Sequence, residues 1–232
     1  MKIALCLSGQ PRFIEEGYNQ LYEHLLSKYS IDCFIHCWWS SDMANVNMNT
    51  LGMSNPTGRS YIFKSDTIDY LNNHYKPVGF SYEPQKYFNL IHGVNFEQPN
   101  KTISIQSMWY SVKESNRLKL NYEKLHNFKY DIVIRSRTDI ILNKCLLNKM
   151  TENRCVYTST VGKNMDFPND QFAVSDSLSS DYYSSLYDNL DLYKNEGFTT
   201  FVGERLLKYH ILKSSIKLCY TSHIVNDIFK TI

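Results

Sequence analysis

The chain has 232 residues, with 25 basic against 23 acidic side chains and a formal net charge of +2; 43% of it is hydrophobic and 14% aromatic. That length suits one large domain with a sizeable core, and a charged fraction of 21% is too low for a disordered polymer. The near-balance of charge argues against a protein held to nucleic acid mainly by basic residues, and no window approaches the roughly 20 apolar residues of a membrane span.

The first apolar run lasts about five residues, short of the roughly 7–15 of a signal-peptide core, and Gly9-Gln10-Pro11-Arg12 follows at once. It reads as a buried first strand over 2–8. Residues 15–29 place Leu21, Leu25 and Tyr29 at helical spacing, and 31–38 is again short, apolar and strand-like. This is the strand–helix–strand start of an α/β sheet. The polar stretch 40–60 has no periodicity and reads as a loop. A helix is predicted over 65–75, a strand from Val78 to Tyr82, and an irregular segment over 83–102. The longest helical pattern runs from Ser104 to about His126, and Tyr130 to Ile134 makes the central strand. Strands at 155–159 and 170–175, helices at 176–194 and 203–213, and a short strand at 216–220 complete the pattern. One α/β domain over 1–232 is expected, with a central mixed, mostly parallel sheet flanked by helices.

Six cysteines (Cys6, Cys33, Cys37, Cys145, Cys155, Cys219) are scattered without Cys-x-x-Cys spacing. In a strand, Cys33, Ile35 and Cys37 share one face, as a core requires, so zinc is not assigned to them. Free thiols without a leader point to a reducing cytoplasm.

Several short motifs carry candidate chemistry. Ser8-Gly9-Gln10-Pro11-Arg12 ends the first strand, where open α/β sheets bind ligands. Glycine permits close backbone approach there, and Arg12 offers a planar fork for phosphate or carboxylate; the alternative is a simple turn. Arg135-Ser136-Arg137-Thr138-Asp139 ends the central strand. Period two puts Arg135, Arg137 and Asp139 on one face, and such charges are costly unless they face a cleft, a charged ligand or each other. Two arginines for one carboxylate favour a phosphorylated ligand over a self-contained network. Asn169-Asp170-Gln171 precedes an apolar strand, where Asp170 suits a base or a hydroxyl-binding group and the alternative is an Asn-Asp turn. Glu204 opens an amphipathic helix, which the helix dipole alone also explains. His223, after the last strand, is a candidate metal ligand or a packing residue.

In order and spacing, L-C-L-S-G-Q-P-R at the start, D-C-F-I-H-C-W-W at 32–39, Y-D-I-V-I-R-S-R-T-D at 130–139, N-D-Q-F at 169–172 and G-E-R-L-L at 203–207 resemble a family of small glycosyltransferase-like proteins. These proteins have a GT-A, Rossmann-like fold and belong to bacterial polysaccharide loci, large viruses and phages. The resemblance spans about residues 2 to 213. It implies transfer of a sugar from a nucleotide-diphosphate-sugar donor to a hydroxylated acceptor such as a glycan, in the cytoplasm (the host's, for a viral chain). It further implies an Asp-x-Asp motif holding Mn²⁺ or Mg²⁺ against the donor pyrophosphate. Arg137-Thr138-Asp139 stands at that place, so Asp139 carries over and the first carboxylate does not. Arg135, Arg137 or Arg12 then stand in for part of the metal's charge. Ser8, Gly9, Gln10 and Arg12 are expected at the nucleotide end, Asp139 and His223 as metal ligands, and Asp170 or Glu204 as the carboxylate at the reacting centre. Two alternatives remain: a sugar-phosphate nucleotidyltransferase, whose longer glycine- and lysine-bearing loop is missing, and a carbohydrate- or nucleotide-binding module without catalysis.

Overall fold

The computed structural model describes residues 1–47, 60–88, 99–142, 147, 152–160, 167–198, 202–221 and 225–227. The strands are β1 (Ile3–Gly9), β2 (Ile31–Trp38), β3 (Gly79–Glu83), β4 (Ile132–Ser136), β5 (Ile140–Leu142), β6 (Cys155–Thr158), β7 (Phe172–Ser175), β8 (Lys217–Tyr220) and β9 (Val225–Asp227). The helices are α1 (Ile14–Leu21), α2 (Thr67–Tyr75), α3 (Pro99–His126), α4 (Ser177–Ser184), α5 (Leu190–Asn195) and α6 (Gly203–Leu212). Five π-helical residues, Tyr22–Leu26, prolong α1, and a 3-10 segment, Ser185–Asn189, joins α4 to α5.

Seven strands form one sheet in the order β3-β2-β1-β4-β7-β6-β8. β3, β2, β1 and β4 run parallel, β7 runs against both β4 and β6, and β8 runs with β6. The expected α/β architecture is therefore present: a mixed, mostly parallel sheet flanked by helices. β5 and β9 form a separate antiparallel pair that the sequence pattern does not announce.

Strand alternation divides the core into two layers. Leu5 and Leu7 of β1, Cys33, Ile35 and Cys37 of β2, and Ile132 and Ile134 of β4 pack against Ile14 and Leu21 of α1 and Leu71 and Tyr75 of α2. Ala4 and Cys6 of β1, Phe34 of β2 and Val133 of β4 face the other way, with Leu118 and Tyr122 of α3 against them. Farther along that second face, Trp109 and Val112 of α3 meet Val156, Ala173, Tyr183 and Leu206. Burying each large apolar side chain contributes about 1.5–3 kcal/mol, so these two layers hold the sheet between its helices. Cys33 and Cys37 lie in the first layer, as the strand spacing predicts.

Cys6, Cys33 and Cys37 are free and buried, but the expectation of free thiols fails at one pair: Cys155 and Cys219 are joined as a disulfide, with Cα atoms 6.4 Å apart. β6 and β8 are parallel neighbours, with Cys155 opposite Lys217 and Tyr157 opposite Cys219. Cysteines 64 positions apart in sequence thus land on one face of adjacent strands, at a separation a disulfide can span. Among the described residues no helix is long and apolar enough to cross a membrane.

Candidate functional site

β1 lies between β2 and β4, and the chain leaves it first toward β2 and β3 before returning to β4 on its other side. Loops after β1 and β4 therefore diverge from a switch point, the place where open α/β sheets form ligand crevices. Two of the predicted motifs meet there. Thr138 donates its hydroxyl toward the carbonyls of Gln10 and Arg12, at 3.2 and 3.3 Å. Helix α1 presses against the same corner through Gly17, where a Cβ would stand 1.6 Å from the Thr138 carbonyl oxygen. Phe13, at φ 48, turns the chain from the first loop into that helix. Left-handed backbone in a bulky residue is uncommon, and here the Phe13 ring is held on Tyr61 at 4.9 Å.

Asp139 is the anchor of this corner and is only 1% exposed. Arg137 grips it through Nε to Oδ1 at 2.7 Å and Nη2 to Oδ2 at 2.6 Å, and Arg12 adds Nη2 to Oδ2 at 2.7 Å. Burial works to raise the carboxyl's pKa, but Arg12 and then Arg137 outweigh it and hold Asp139 below the ordinary carboxylate value. The two arginines are partly open, at 19% and 17%.

This donor set does not fit the divalent cation implied by the family resemblance. Both oxygens of Asp139 already accept guanidinium N–H groups, and a cation placed on them would stand against two fixed positive charges. Thr138, in the middle of the tripeptide, is turned to backbone carbonyls. Among the described residues, the grouping with metal-ligand spacing is Glu152, Cys155 and Cys219, whose two sulfurs are bonded to each other. His223 lies outside the described residues.

Arg135 behaves differently. It sits at the centre of the sheet, opposite Cys6 of β1 and Ala173 of β7. Its side chain is 3% exposed, and Nε, Nη1 and Nη2 have no hydrogen-bond partner among the described residues. Burial lowers its pKa; Tyr183 and Asp170 lie within electrostatic reach and counter that shift. The buried Tyr183 hydroxyl and the Ser8 hydroxyl likewise have no partner among the described residues. Unmet buried donors are costly and rare, so their gathering near the strand ends makes this the candidate site.

Asn169-Asp170-Gln171 resolves into two roles. Asn169 makes the turn, its side-chain oxygen accepting the Gln171 N–H at 2.7 Å, and Asp170 is left to project. The carboxylate lies against the first turn of α6, where a Cβ on Gly203 would come within 2.2 Å of Asp170 Oδ2. Gly203 is therefore what lets the carboxylate approach so closely. Burial first, and the nearby Glu204 second, push Asp170 up to about 6, against the pull of Arg135 and Arg137. The structure thus brings Arg12, Arg135, Arg137, Asp139, Asp170 and Glu204 into one charged region, with Ser8, Gly9 and Gln10 on its β1 side.

One contribution has no motif in the sequence. The Gly9 N–H, at φ 113, donates to Ser111 Oγ of α3 at 2.7 Å. That hydroxyl lies 2.7 Å from His36 Nδ1, His36 Nε2 lies 3.2 Å from Glu83 Oε1, and Lys86 pairs with Glu83 at 2.9 Å. A serine, a histidine and a carboxylate in sequence invite a nucleophilic reading. Ser111, however, is fully buried and its oxygen is occupied by Gly9, so the chain pins the β1 loop instead. The residues are 47 and 75 positions apart, and only the order β3-β2-β1 under α3 joins them.

The fold and site together define an α/β protein with an arginine-rich cluster at its switch point. No protein-family model matches the chain, and no curated protein matches it.

Proposed function

We propose that the protein is a glycosyltransferase of GT-A-like fold that moves a sugar from a nucleotide-diphosphate-sugar donor to a hydroxylated acceptor, a glycan being the expected class. The observation that carries this reading is Arg135, a buried guanidinium without a hydrogen-bond partner among the described residues, within electrostatic reach of the Asp170 carboxylate. Glycosyl transfer needs that juxtaposition. The bond from the anomeric carbon to the acceptor oxygen forms while its bond to the phosphate oxygen breaks. The electron pair leaves with the diphosphate, and the acceptor's proton must go to a base. Arg135, in the positive field of Arg12 and Arg137, meets the developing negative charge, where fixed donors need no reorganisation. Asp170 takes the proton, and its pKa of about 6 is suited to that work near neutral pH. Glu204 raises that pKa and so tunes the base.

The test is release of free nucleotide from UDP-, GDP-, dTDP- and CMP-sugars by the whole purified chain. Turnover with at least one donor is expected. Asp170→Asn should lower kcat by about 10²-fold or more while donor affinity changes little. In the wild type, kcat should climb as pH rises through about 6, because Asp170 must be ionised to accept the proton. Absence of both turnover and ligand-induced thermal stabilisation with every donor would remove this reading.

A further inference from the structure

We infer that the arginine cluster at the ends of β1 and β4 holds a diphosphate group on arginine alone, with no divalent cation at Asp139, and that Asp139 is a positioning residue for Arg12 and Arg137. The identity of the ligand rests on the glycosyltransferase reading; the absence of a cation at Asp139 rests on the geometry of this chain.

The first support is the state of Asp139. A carboxylate that serves a metal needs oxygens turned to open space, whereas both oxygens of Asp139 are turned to guanidinium groups, at 2.6–2.7 Å. The bidentate fork from Arg137 fixes that side chain's plane, and the Arg12 contact ties the β1 loop to the β4 loop across 127 positions. Asp139 thus does for the two arginines what a counter-ion does for a pair of like charges: it lets them stand close together.

The second support is Arg135. Three guanidinium groups share this corner, and the one that is most buried makes no hydrogen bond among the described residues. A site that took its positive charge from a metal would have no need to keep such a donor set dry and unpaired. A diphosphate oxygen presented to Arg135 would satisfy those donors at once, in surroundings where a charged hydrogen bond is strong. The middle position of Arg137-Thr138-Asp139 agrees, since Thr138 faces the Gln10 and Arg12 carbonyls and offers no second carboxylate.

Calorimetric titration of the whole chain with inorganic pyrophosphate, once in EDTA and once in Mn²⁺, and with Mn²⁺ alone, tests the inference. Pyrophosphate should bind in EDTA with one site per chain, and its affinity should fall at least about 30-fold in Arg135→Met. Arg135→Gln serves should that variant not fold. Mn²⁺ alone should show no binding that Asp139→Asn abolishes, with Asp139→Ser as the substitute. Pyrophosphate binding that requires Mn²⁺, or Mn²⁺ binding lost with Asp139, would overturn the inference and leave glycosyl transfer standing as a metal-assisted reaction. No pyrophosphate binding in either condition would also overturn it. Binding in EDTA that depends on Arg135, with no nucleotide sugar ever cleaved, would instead keep the inference and remove the catalytic reading.

Discussion

Two buried cations flank the ends of β4 on the α3 side of the sheet, and they are solved in opposite ways. Lys119 of α3, fully buried, donates to Ser177 Oγ at 2.7 Å and Asp181 Oδ1 at 2.6 Å, and pairs with Glu123 Oε2 at 3.2 Å. Glu123 in turn accepts the Tyr130 N–H at 3.0 Å, the Ser177 hydroxyl at 2.5 Å and Lys129 at 2.8 Å. Burial works against the charge of Glu123, but Lys129, Ser177 and the Tyr130 N–H hold its pKa below the ordinary value. Every charged group in that cluster has met its partners, and the network joins α3 to α4. Arg135, near the other end of the strand, has five N–H bonds and no partner among the described residues. In the proposed reading the completed cluster serves the fold, and the incomplete one takes its partner from a ligand.

Breaking the closed cluster has the largest expected effect. Lys119→Met keeps most of the stem's packing but removes the buried one of the two cations that Glu123 and Asp181 share. Loss of one partner of a buried ion pair costs about 3–5 kcal/mol, and because Lys129 still reaches Glu123 the lower part of that range is expected. Urea unfolding at neutral pH measures it. A loss below about 1 kcal/mol would mean that the cluster is not the structural unit described above.

A carboxylate in each region titrates with opposite sign, and this sharpens the contrast. Glu123 has a lowered pKa, so its contribution is present at neutral pH and fades as pH falls through the folded value. Asp170 is raised from 3.8 to about 6, so the fold favours its neutral form. The stability that form provides is complete below the unfolded value and disappears as pH climbs through about 6. Between pH 4 and 7 the wild type should therefore lose about 2 kcal/mol relative to Asp170→Asn. Paired denaturation curves across that range check it, and parallel pH dependence in the two proteins would show that Asp170 is not held away from its charged form.

Much of this arrangement was legible in the sequence, and the boundary of legibility is physical. β1, β2, α2, β3, β4 and β6 to β8 fall within a residue or two of where apolar alternation and helical spacing put them. The strand-end motifs around Arg12, Arg135 and Asp170 were equally visible, because each is local and each interrupts an apolar run. What periodicity does not encode is which strands become neighbours. The salt bridge from Arg12 to Asp139, the Ser111–His36–Glu83 chain and the Cys155–Cys219 bond all depend on the order β3-β2-β1-β4-β7-β6-β8. β5 and β9, three residues each, are too short to carry a pattern of their own. Lys119 reads in sequence as one more polar position on a long helix, and only the packing of α3 under α4 buries it. The incompleteness of Arg135 was the least readable feature, because it consists of contacts that are not made.

That incompleteness yields the smallest change in stability, and one of reversed sign. Arg135→Met replaces a buried, unpaired charge with an apolar chain of similar length. An unsatisfied buried polar group costs about 1–3 kcal/mol, and the variant also gives up the attraction of Arg135 for Asp170 and Asp139. The net expectation is a gain of about 1 kcal/mol in unfolding free energy, with pyrophosphate binding lost. Thermal and urea unfolding of the ligand-free protein, set beside Lys119→Met under the same conditions, give the comparison directly. A destabilisation as large as that of Lys119→Met would mean that Arg135 already has its partners and that the two regions follow one rule. A protein made more stable and unable to bind the anion would show that Arg135 is kept for the ligand at the expense of the fold.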